Sequence, residues 1–223
     1  MRVIPGASDT TLRGTAGDAM RLLPRLPDAS VSLFLTDPPY GIGYSSRTGE
    51  TIKNDDAPFI WWMRESFRIA APNAAMLCCC RWDVQEAFRL ALGWAGWTVR
   101  SQIVWDRVHH GMGDTRRQFS PRHEVLWFAT KGRWSFPARR PVSVVARANV
   151  HHTHRTHPCE KPVELAASLI AATTQLGDTV ADPFCGSGWV GVACAQLGRS
   201  FWGCELDRDY ARTASARIRE AAR

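Results

Sequence analysis

Short apolar runs recur along the chain, and turn-forming residues separate them. Six runs are typical of strands, at residues 31–36, 74–80, 101–105, 124–129, 178–183 and 200–205. The first of them, VSLFLT, is apolar almost throughout, as expected of a strand that is covered on both faces. Helical patterns fall between the runs, at residues 59–70, 162–175, 190–197 and 209–223. This alternation predicts an α/β fold, a doubly wound and mainly parallel sheet with helices on both faces.

Residues 132–156 break this alternation. The segment is basic, contains Pro137 and Pro141, and shows no clear period, so we expect an insertion that works at the surface. The length of 223 residues suits one domain. We therefore expect one domain in two halves, residues 1–131 and 157–223, with residues 132–156 inserted between them.

Composition excludes several classes of protein. Hydrophobic residues make up 45% of the chain, which favours a packed core over disorder. No apolar stretch is long enough to span a bilayer and the first residues lack a signal-peptide core, so we expect a cytoplasmic protein without a membrane partner. Of the seven cysteines, Cys78, Cys79 and Cys80 are adjacent and would alternate between the faces of a strand. We expect free buried thiols and neither disulfides nor zinc.

The positive charge is concentrated in one segment. The net charge is +7, and residues 107–155 contain 10 basic and 2 acidic residues. The remainder, with 18 basic and 19 acidic residues, is nearly neutral. A local excess indicates a surface that faces a polyanion, although charge alone is equally consistent with a solvated face.

A glycine-rich loop follows the fifth predicted strand. Residues 182–191 read DPFCGSGWVG, which contains G-x-G-x-x-G, and Glu205 ends the next strand. This layout is typical of a nucleotide site, in which the backbone approaches the ligand and the acid binds ribose hydroxyls. A dinucleotide-binding dehydrogenase is the rival interpretation. Only 18 residues follow Glu205, so the rest of the sheet must precede the loop, an order that argues against that interpretation.

A second motif, Asp37-Pro38-Pro39-Tyr40, directly follows the first strand. Two prolines cannot continue a central strand, so they form a stiff turn at its carboxyl end, where open α/β sheets bind ligands. The Asp37 carboxylate and the Pro38 carbonyl can accept hydrogen bonds from an exocyclic amine and localise its lone pair for attack on a methyl group. If this amine belongs to a base in duplex nucleic acid, the base must first be flipped out of the helix, and the Tyr40 ring can stack on it. The alternative is an ordinary proline-rich turn.

These motifs, in this order, resemble the β-class amino-methyltransferases of DNA. The resemblance covers most of the chain and adds Gly17-Asp18, Val104-Trp105-Asp106, His123-Glu124 and residues 157–162 (HPCEKP). It implies a Rossmann-like methyltransferase fold in circularly permuted order and S-adenosylmethionine as the cofactor. Cys159 and Trp189 depart from the family, which usually has threonine at both positions.

The resemblance also implies roles for individual residues. The catalytic residues are Asp37, Pro38, Pro39 and Tyr40. The cofactor-binding residues are Asp18, Asp37, Lys161, Asp182, Phe184, Gly186, Ser187, Gly188 and Glu205. Asp18 is equally consistent with a helix cap, and Lys161 with the start of a helix.

Substrate and assembly follow from the same resemblance. An aspartate at the first position of the tetrapeptide favours N6 of adenine, with N4 of cytosine as the alternative. Double-stranded DNA is the expected partner, and RNA is an alternative. The residues expected to contact DNA are Arg47, Lys53, Arg116, Arg117, Arg133, Arg139, Arg140, Arg147 and Arg155. Because the recognition segment is short, we expect a homodimer.

The sequence is consistent with two further interpretations. A DNA-binding protein with a vestigial cofactor site would keep the glycine loop, although the intact Asp37 and Tyr40 argue against it. His151, His152, His154 and His157 have ligand chemistry, but their arginine-rich surroundings repel cations and methyl transfer needs no metal. We therefore expect no metal site.

Overall fold

A computed structural model describes residues 11–45, 49, 51–111, 114–150 and 159–223. The strands are β1 (Leu12–Ala16), β2 (Val31–Thr36), β3 (Ala70–Cys80), β4 (Thr98–Asp106), β5 (His123–Thr130), β6 (Val144–Ala146), β7 (Thr179–Asp182) and β8 (Ser200–Glu205). The helices are α1 (Ala19–Leu22), α2 (Met63–Ile69), α3 (Gln85–Trp94), α4 (Val163–Thr173), α5 (Trp189–Leu197) and α6 (Arg208–Ala221), and a 3₁₀ turn spans Leu23–Arg25.

The strands form one sheet in the order β1-β8-β7-β2-β3-β5-β4-β6. Neighbours are parallel except that β5 runs antiparallel to both β3 and β4. The predicted α/β class with a mainly parallel sheet is confirmed, and each of the six predicted strands is present. The strands β1 and β6 and the helices α1 and α3 were not predicted. Both missed strands lie at the edges of the sheet and are short, so their apolar patterns are weak.

Helices cover both faces of the sheet, because alternate residues of the central strands point to opposite sides. Leu33, Leu35 and Cys79 belong to the cluster that packs against α4, α5 and α6. Phe34, Cys78 and Cys80 belong to the cluster on the other face, with α2 and α3. All seven cysteines are free; six of them are buried, and Cys159 is partly buried.

The two halves of the chain meet where β2 lies beside β7. After β2 the chain adds β3 on one side of this pair, and after β7 it adds β8 on the other side. Connections that diverge in this way open a crevice at the carboxyl ends of β2 and β7. The Thr36 hydroxyl, at the end of β2, donates to Asp182 Oδ1, at the end of β7, over 2.7 Å. The turn at residues 37–40 and the loop at residues 183–188 are therefore neighbours.

The predicted insertion is only partly a surface loop. Thr130, at the end of β5, lies opposite Ala75 near the start of β3, so the chain leaves β5 at the amino edge of the parallel strands. Trp134 and Phe136 then pack on Phe128 of the core. The segment next adds β6 to the edge of the sheet and returns to the carboxyl edge, where Ala146 pairs with Asp106.

Within the described ranges, no helix combines the length and the apolar character needed to cross a membrane.

Candidate active site

A cavity of about 730 Å³ opens at the carboxyl edge of the sheet, within the range of roughly 300–1,000 Å³ that is common for small-molecule sites. Loops that follow seven of the eight strands, all except β5, form its wall. From the predicted site it includes Asp18, Asp37, Pro38, Pro39, Tyr40, Lys53, Lys161, Phe184, Gly186, Ser187 and Glu205. The fold therefore brings these residues into one cavity.

The Asp37–Tyr40 turn is fixed by contacts on both of its sides. The Tyr40 hydroxyl donates to Asp37 Oδ1 over 2.5 Å, and burial, reinforced by Asp37, raises the pKa of Tyr40, so the hydroxyl keeps the proton that it donates. The Pro39 carbonyl accepts from the Phe59 amide at 3.2 Å. Among the described residues no donor reaches the Pro38 carbonyl, which remains available to a ligand.

The buried side chain of Asp55 holds the chain after Tyr40, and no motif or periodicity marked this residue as part of the site. Asp55 accepts from the Gly41 amide through Oδ1 and from the Tyr44 amide through Oδ2, each at 2.7 Å. Gly41 has a φ of 79°, and a Cβ atom there would lie 2.1 Å from the Ala57 carbonyl carbon. Only glycine allows this close approach, so the rigid turn extends beyond the tetrapeptide.

Lys161 lies at the centre of a buried ionic cluster. Its Nζ donates to Asp37 Oδ2, lies 3.3 Å from Glu124 Oε2, and approaches the Tyr40 hydroxyl at 3.4 Å. Burial by itself lowers the pKa of this lysine, but Asp37 and Glu124 outweigh it and raise the pKa well above its usual value. Lys161 is therefore a permanent cation that orients the Asp37 carboxylate.

The cluster continues through Glu124 to Arg107. Arg107 Nη1 lies 3.4 Å from Glu124 Oε1, and its Nη2 donates to the Pro121 carbonyl at 2.7 Å. Glu124 and Arg107 were not predicted as site residues. A signal existed, because Glu124 is a charged residue at the start of an otherwise apolar strand, and such a charge needs a partner when it is buried.

Several of the residues predicted to bind the cofactor lie around Glu205, at the end of β8. Glu205 Oε2 accepts from the Gly186 amide at 3.0 Å, and Oε1 accepts from the Asp207 amide at 2.8 Å. Burial raises the pKa of Glu205, against the opposing effect of these two amides. Each oxygen keeps a second lone pair, so the carboxylate can accept from two ribose hydroxyls.

The aromatic ring of Phe184 forms a wall of this part of the cavity. It packs edge to face against Phe59 and Trp62, at centroid distances of 5.8 and 5.5 Å. Trp189 is buried, belongs to the core and also lines the cavity, so it points inward and does not lie on the outer face of its helix. Asp18 lines the cavity and also caps α1 by accepting from the Met20 amide at 2.9 Å.

Two residues predicted to bind the cofactor do not line the cavity. Asp182 is fully buried between β7 and β2, where its Oδ1 accepts from Thr36 and from the Phe184 amide. Gly188 packs against α6, and a Cβ atom there would lie 3.0 Å from Ala214. Both residues support the loop from the side away from the cavity, Asp182 through its contacts with Thr36 and the Phe184 amide and Gly188 through its packing on α6.

The residues predicted to contact DNA are divided between the two edges of the sheet. Arg133 lies at the amino edge, where its amide donates to Asn73 Oδ1 at 2.7 Å, and Arg139 and Arg140 are exposed in the connection that precedes β6. Arg133 is therefore remote from the cavity, because β5 is antiparallel.

Lys53 lines the cavity and pairs with Asp207 at 3.2 Å, close to Glu205. Arg116, Arg117 and Arg147 lie near the carboxyl edge, whereas Arg47, Arg155 and the four histidines fall outside the described residues.

The family model for the N6/N4 DNA methylases, described as DNA methylase, matches residues 31–216. The chain belongs to this family. It is 32% identical over 206 residues to YubD of Escherichia coli (strain K12), a methylase by name, with 91% of this chain and 88% of YubD covered. It is 27% identical to the type II methyltransferase M.HpaI of Haemophilus parainfluenzae, with 90% of this chain and 72% of that protein covered.

Solved structures have the same fold. The crystal structure of the M1.HpyAVI-SAM complex superposes with a TM-score of 0.75 at 24% identity, with 92% of this chain and 98% of that chain covered. The cytosine-N4-specific PvuII DNA methyltransferase gives a TM-score of 0.76 at 17% identity, with 96% and 92% covered. The chain is therefore a DNA methyltransferase of the N6/N4 family with the Rossmann-like methyltransferase fold. Both amine targets occur within the family.

Proposed function

We propose that the protein transfers a methyl group from S-adenosylmethionine to the N6 amino group of adenine in a specific sequence of double-stranded DNA. One observation carries the proposal: the Asp37–Tyr40 turn and the loop at residues 183–188 follow neighbouring strands and line the same cavity. An amine held at the turn is therefore close to a cofactor held at the loop. Aspartate at the first position of the turn supports adenine as the target.

The residues present fit the cofactor. Glu205 can accept the ribose hydroxyls, the Phe184 ring and the amides near Gly186 can surround the methionine part, and Asp18 lies where it can meet the adenine ring. When bound, S-adenosylmethionine supplies an electrophilic methyl group on a sulfonium.

The catalytic residues prepare the amine. Asp37 and the Pro38 carbonyl accept from its two N–H bonds, which draws the nitrogen towards tetrahedral geometry and localises its lone pair. Tyr40 and Lys161 keep the Asp37 carboxylate oriented during this step. The nitrogen bonds to the methyl carbon as the carbon–sulfur bond breaks, and the Asp37 carboxylate lies where it can take the proton that the nitrogen then loses.

Substitutions at Asp37 and Glu205 separate chemistry from cofactor binding. Asp37→Asn keeps the shape of the side chain but removes the charge, so we expect kcat to fall by about 100-fold or more. Glu205→Gln weakens the ribose contact, so we expect the KM for the cofactor to rise by roughly tenfold with a smaller effect on kcat. Transfer of a labelled methyl group to DNA measures both, with Asp209→Asn, an exposed aspartate of α6, as the control. Full activity of Asp37→Asn contradicts the proposed mechanism.

Single-molecule sequencing of DNA from cells that express the protein identifies the base and its sequence context together. Modification at N4 of cytosine, whose amine presents the same two N–H donors, replaces the adenine assignment and leaves the mechanism intact. Methylation of structured RNA in preference to duplex DNA contradicts the DNA assignment.

The proposal includes a homodimer, because one subunit presents a short basic surface to a long duplex. Light scattering during size-exclusion chromatography tests this part, and a strict monomer at micromolar concentration contradicts it.

A further inference from the structure

The connection between β4 and β5 stands at the mouth of the cavity. Asp106, at the end of β4, pairs with His123, at the start of β5, and β5 begins beside the carboxyl end of β3. Residues 114–122 of this connection, here called the rim loop, therefore lie at the carboxyl edge of the sheet. Gln118 and Pro121 of the rim loop line the cavity itself.

The rim loop is fastened at its base. Arg107 donates to the Pro121 carbonyl at 2.7 Å, and the Gly111 amide donates to the same carbonyl at 2.7 Å. Arg122 forms two hydrogen bonds with Asp106, both at 2.7 Å. Since Arg107 also contacts Glu124, the loop is tied to the ionic cluster that orients Asp37.

The start of the rim loop is a formed turn. Asp114 Oδ1 accepts from the amides of Arg116 and Arg117 at 2.9 and 3.2 Å, and the Gln118 amide donates to the Asp114 carbonyl at 3.2 Å. The Asp114 carboxylate is therefore hydrogen-bonded to backbone amides. No described acidic side chain pairs with the guanidinium groups of Arg116 and Arg117.

The rim loop presents an aromatic ring to solvent beside these two cations. Phe119 is 101% exposed, the highest value among the large apolar side chains of the described residues. Leaving a whole phenyl ring in water is unfavourable, so the position is suited to a ligand that covers it. Stacked bases accept an aromatic ring, and phosphates accept the neighbouring cations.

We infer that the rim loop is a DNA-contacting element of this enzyme, in which Phe119 enters the base stack beside the flipped nucleotide and fills the space that it leaves, while Arg116 and Arg117 hold the flanking phosphates. The inference rests on the proposed function. It moves the main DNA contact from the predicted recognition segment, whose Arg133 lies at the opposite edge, to the loop that borders the cavity.

A wedge lowers the cost of opening a base pair, so its loss matters only when a pair must be opened. The substrates are two duplexes that carry the methylation site found by sequencing, one fully paired and one with an abasic site opposite the target base. We expect Phe119→Ala to lower kcat/KM by roughly tenfold to a hundredfold on the paired duplex. On the abasic duplex the loss shrinks to about threefold or less, and the KM for S-adenosylmethionine stays unchanged.

Trp94→Ala is the matched control, because Trp94 is 81% exposed and lies at the end of α3, before β4 begins at the amino edge. It leaves both duplexes methylated at the wild-type rate. The wedge is contradicted if Phe119→Ala behaves like Trp94→Ala, and equally if it loses the same factor on both duplexes, since that pattern reports damage to the catalytic centre.

The two cations are tested by the salt dependence of DNA binding. Arg116→Ala with Arg117→Ala should weaken binding and reduce the slope of log affinity against log salt by about 2, one for each lost phosphate contact. The double variant Arg219→Ala with Arg223→Ala, which removes two exposed arginines at the end of α6, should keep the wild-type slope. If the Arg116/Arg117 variant keeps the wild-type slope while the control variant loses about 2 from it, the assignment of the rim loop is contradicted.

The wild-type enzyme separates this inference from the proposed function. If it methylates neither duplex, and no other DNA, the proposed function fails. If it methylates both while the rim-loop variants are indistinguishable from their controls, the proposed function stands and the rim-loop inference fails.

Discussion

Residues of the ionic cluster depend on one another for their charge. Lys161 stands between the Asp37 and Glu124 carboxylates, and its side chain is almost fully buried. A buried cation with two carboxylates is balanced only as a group, because removal of one member leaves an uncompensated charge in a poorly solvated place. The cluster therefore links the Asp37 carboxylate, just after β2, to the start of β5 and to the segment that precedes α4.

A double-mutant cycle measures this dependence. Lys161→Met leaves two facing carboxylates, and we expect it to lower the free energy of unfolding by about 3–5 kcal/mol. Glu124→Gln added to Lys161→Met removes one of these charges, so the double variant should be more stable than the two single losses added together, by about 1–3 kcal/mol. Urea denaturation monitored by circular dichroism gives the three values. Strict additivity contradicts the coupling.

The loop between β7 and α5 is shaped by contact between helices. Gly188 has a φ of 88° and faces Ala214 of α6. Gly191 of α5 faces Ile218, which also belongs to α6. The absence of side chains at these positions lets α5 approach α6 closely. The approach fixes where α5 begins, and with it the direction of the Gly186 amide that meets Glu205.

A methyl group at residue 188 tests this packing. Gly188→Ala introduces strain at a positive φ and a Cβ atom 3.0 Å from Ala214, so we expect a loss of roughly 2–4 kcal/mol in unfolding free energy. Gly93→Ala is the control, since a Cβ atom there meets nothing within 4 Å inside α3, and it should stabilise the protein by about 0.5–1 kcal/mol. Thermal unfolding of both variants provides the comparison. Equal effects of the two substitutions contradict the packing argument.

At the scale of the whole molecule, the hydrogen bond from Thr36 to Asp182 adds to the pairing of β2 with β7, which links the two halves of the chain at the centre of the sheet. Burial raises the pKa of Asp182 to about 7, against the opposing hydrogen bonds from Thr36 and the Phe184 amide. Among the described atoms, Oδ2 has no hydrogen-bond partner. Neutral Asp182 suits this position better than charged Asp182, so the joint between the two halves depends on pH.

The sign of the pH dependence follows from the raised pKa. The folded protein holds the Asp182 proton up to a pH of about 7, whereas the unfolded chain releases it near its ordinary value of 3.8. Asp182 therefore contributes full stability below a pH of about 4, and this contribution is lost as the pH rises through about 7. Between pH 5 and 8 the wild-type protein should lose about 3 kcal/mol relative to Asp182→Asn. Urea denaturation at both values measures the difference, and a constant difference contradicts the buried titration.

Much of the fold could be predicted because burial imprints a pattern on each strand. The central strands are apolar on both faces, and β8 was predicted with its observed bounds. The edge strands β1 and β6 were missed because most of their side chains are partly or fully exposed. Burial therefore demands few apolar residues in them, and their hydrophobic pattern is weak. The direction of β5 was also missed, since periodicity reports which residues are buried and carries no record of which way a strand runs.

The sequence by itself determined the two motifs and their local rigidity, because prolines and glycines act on the backbone wherever the chain places them. It also determined that both motifs end buried strands, which placed them at one edge of the sheet. Only the tertiary structure decided that Lys161 joins Asp37 to Glu124, and that Arg133 and Phe119 lie at opposite edges. These relations depend on strand order and direction, which hydrogen bonding between segments far apart in the chain establishes, and a local pattern cannot encode them.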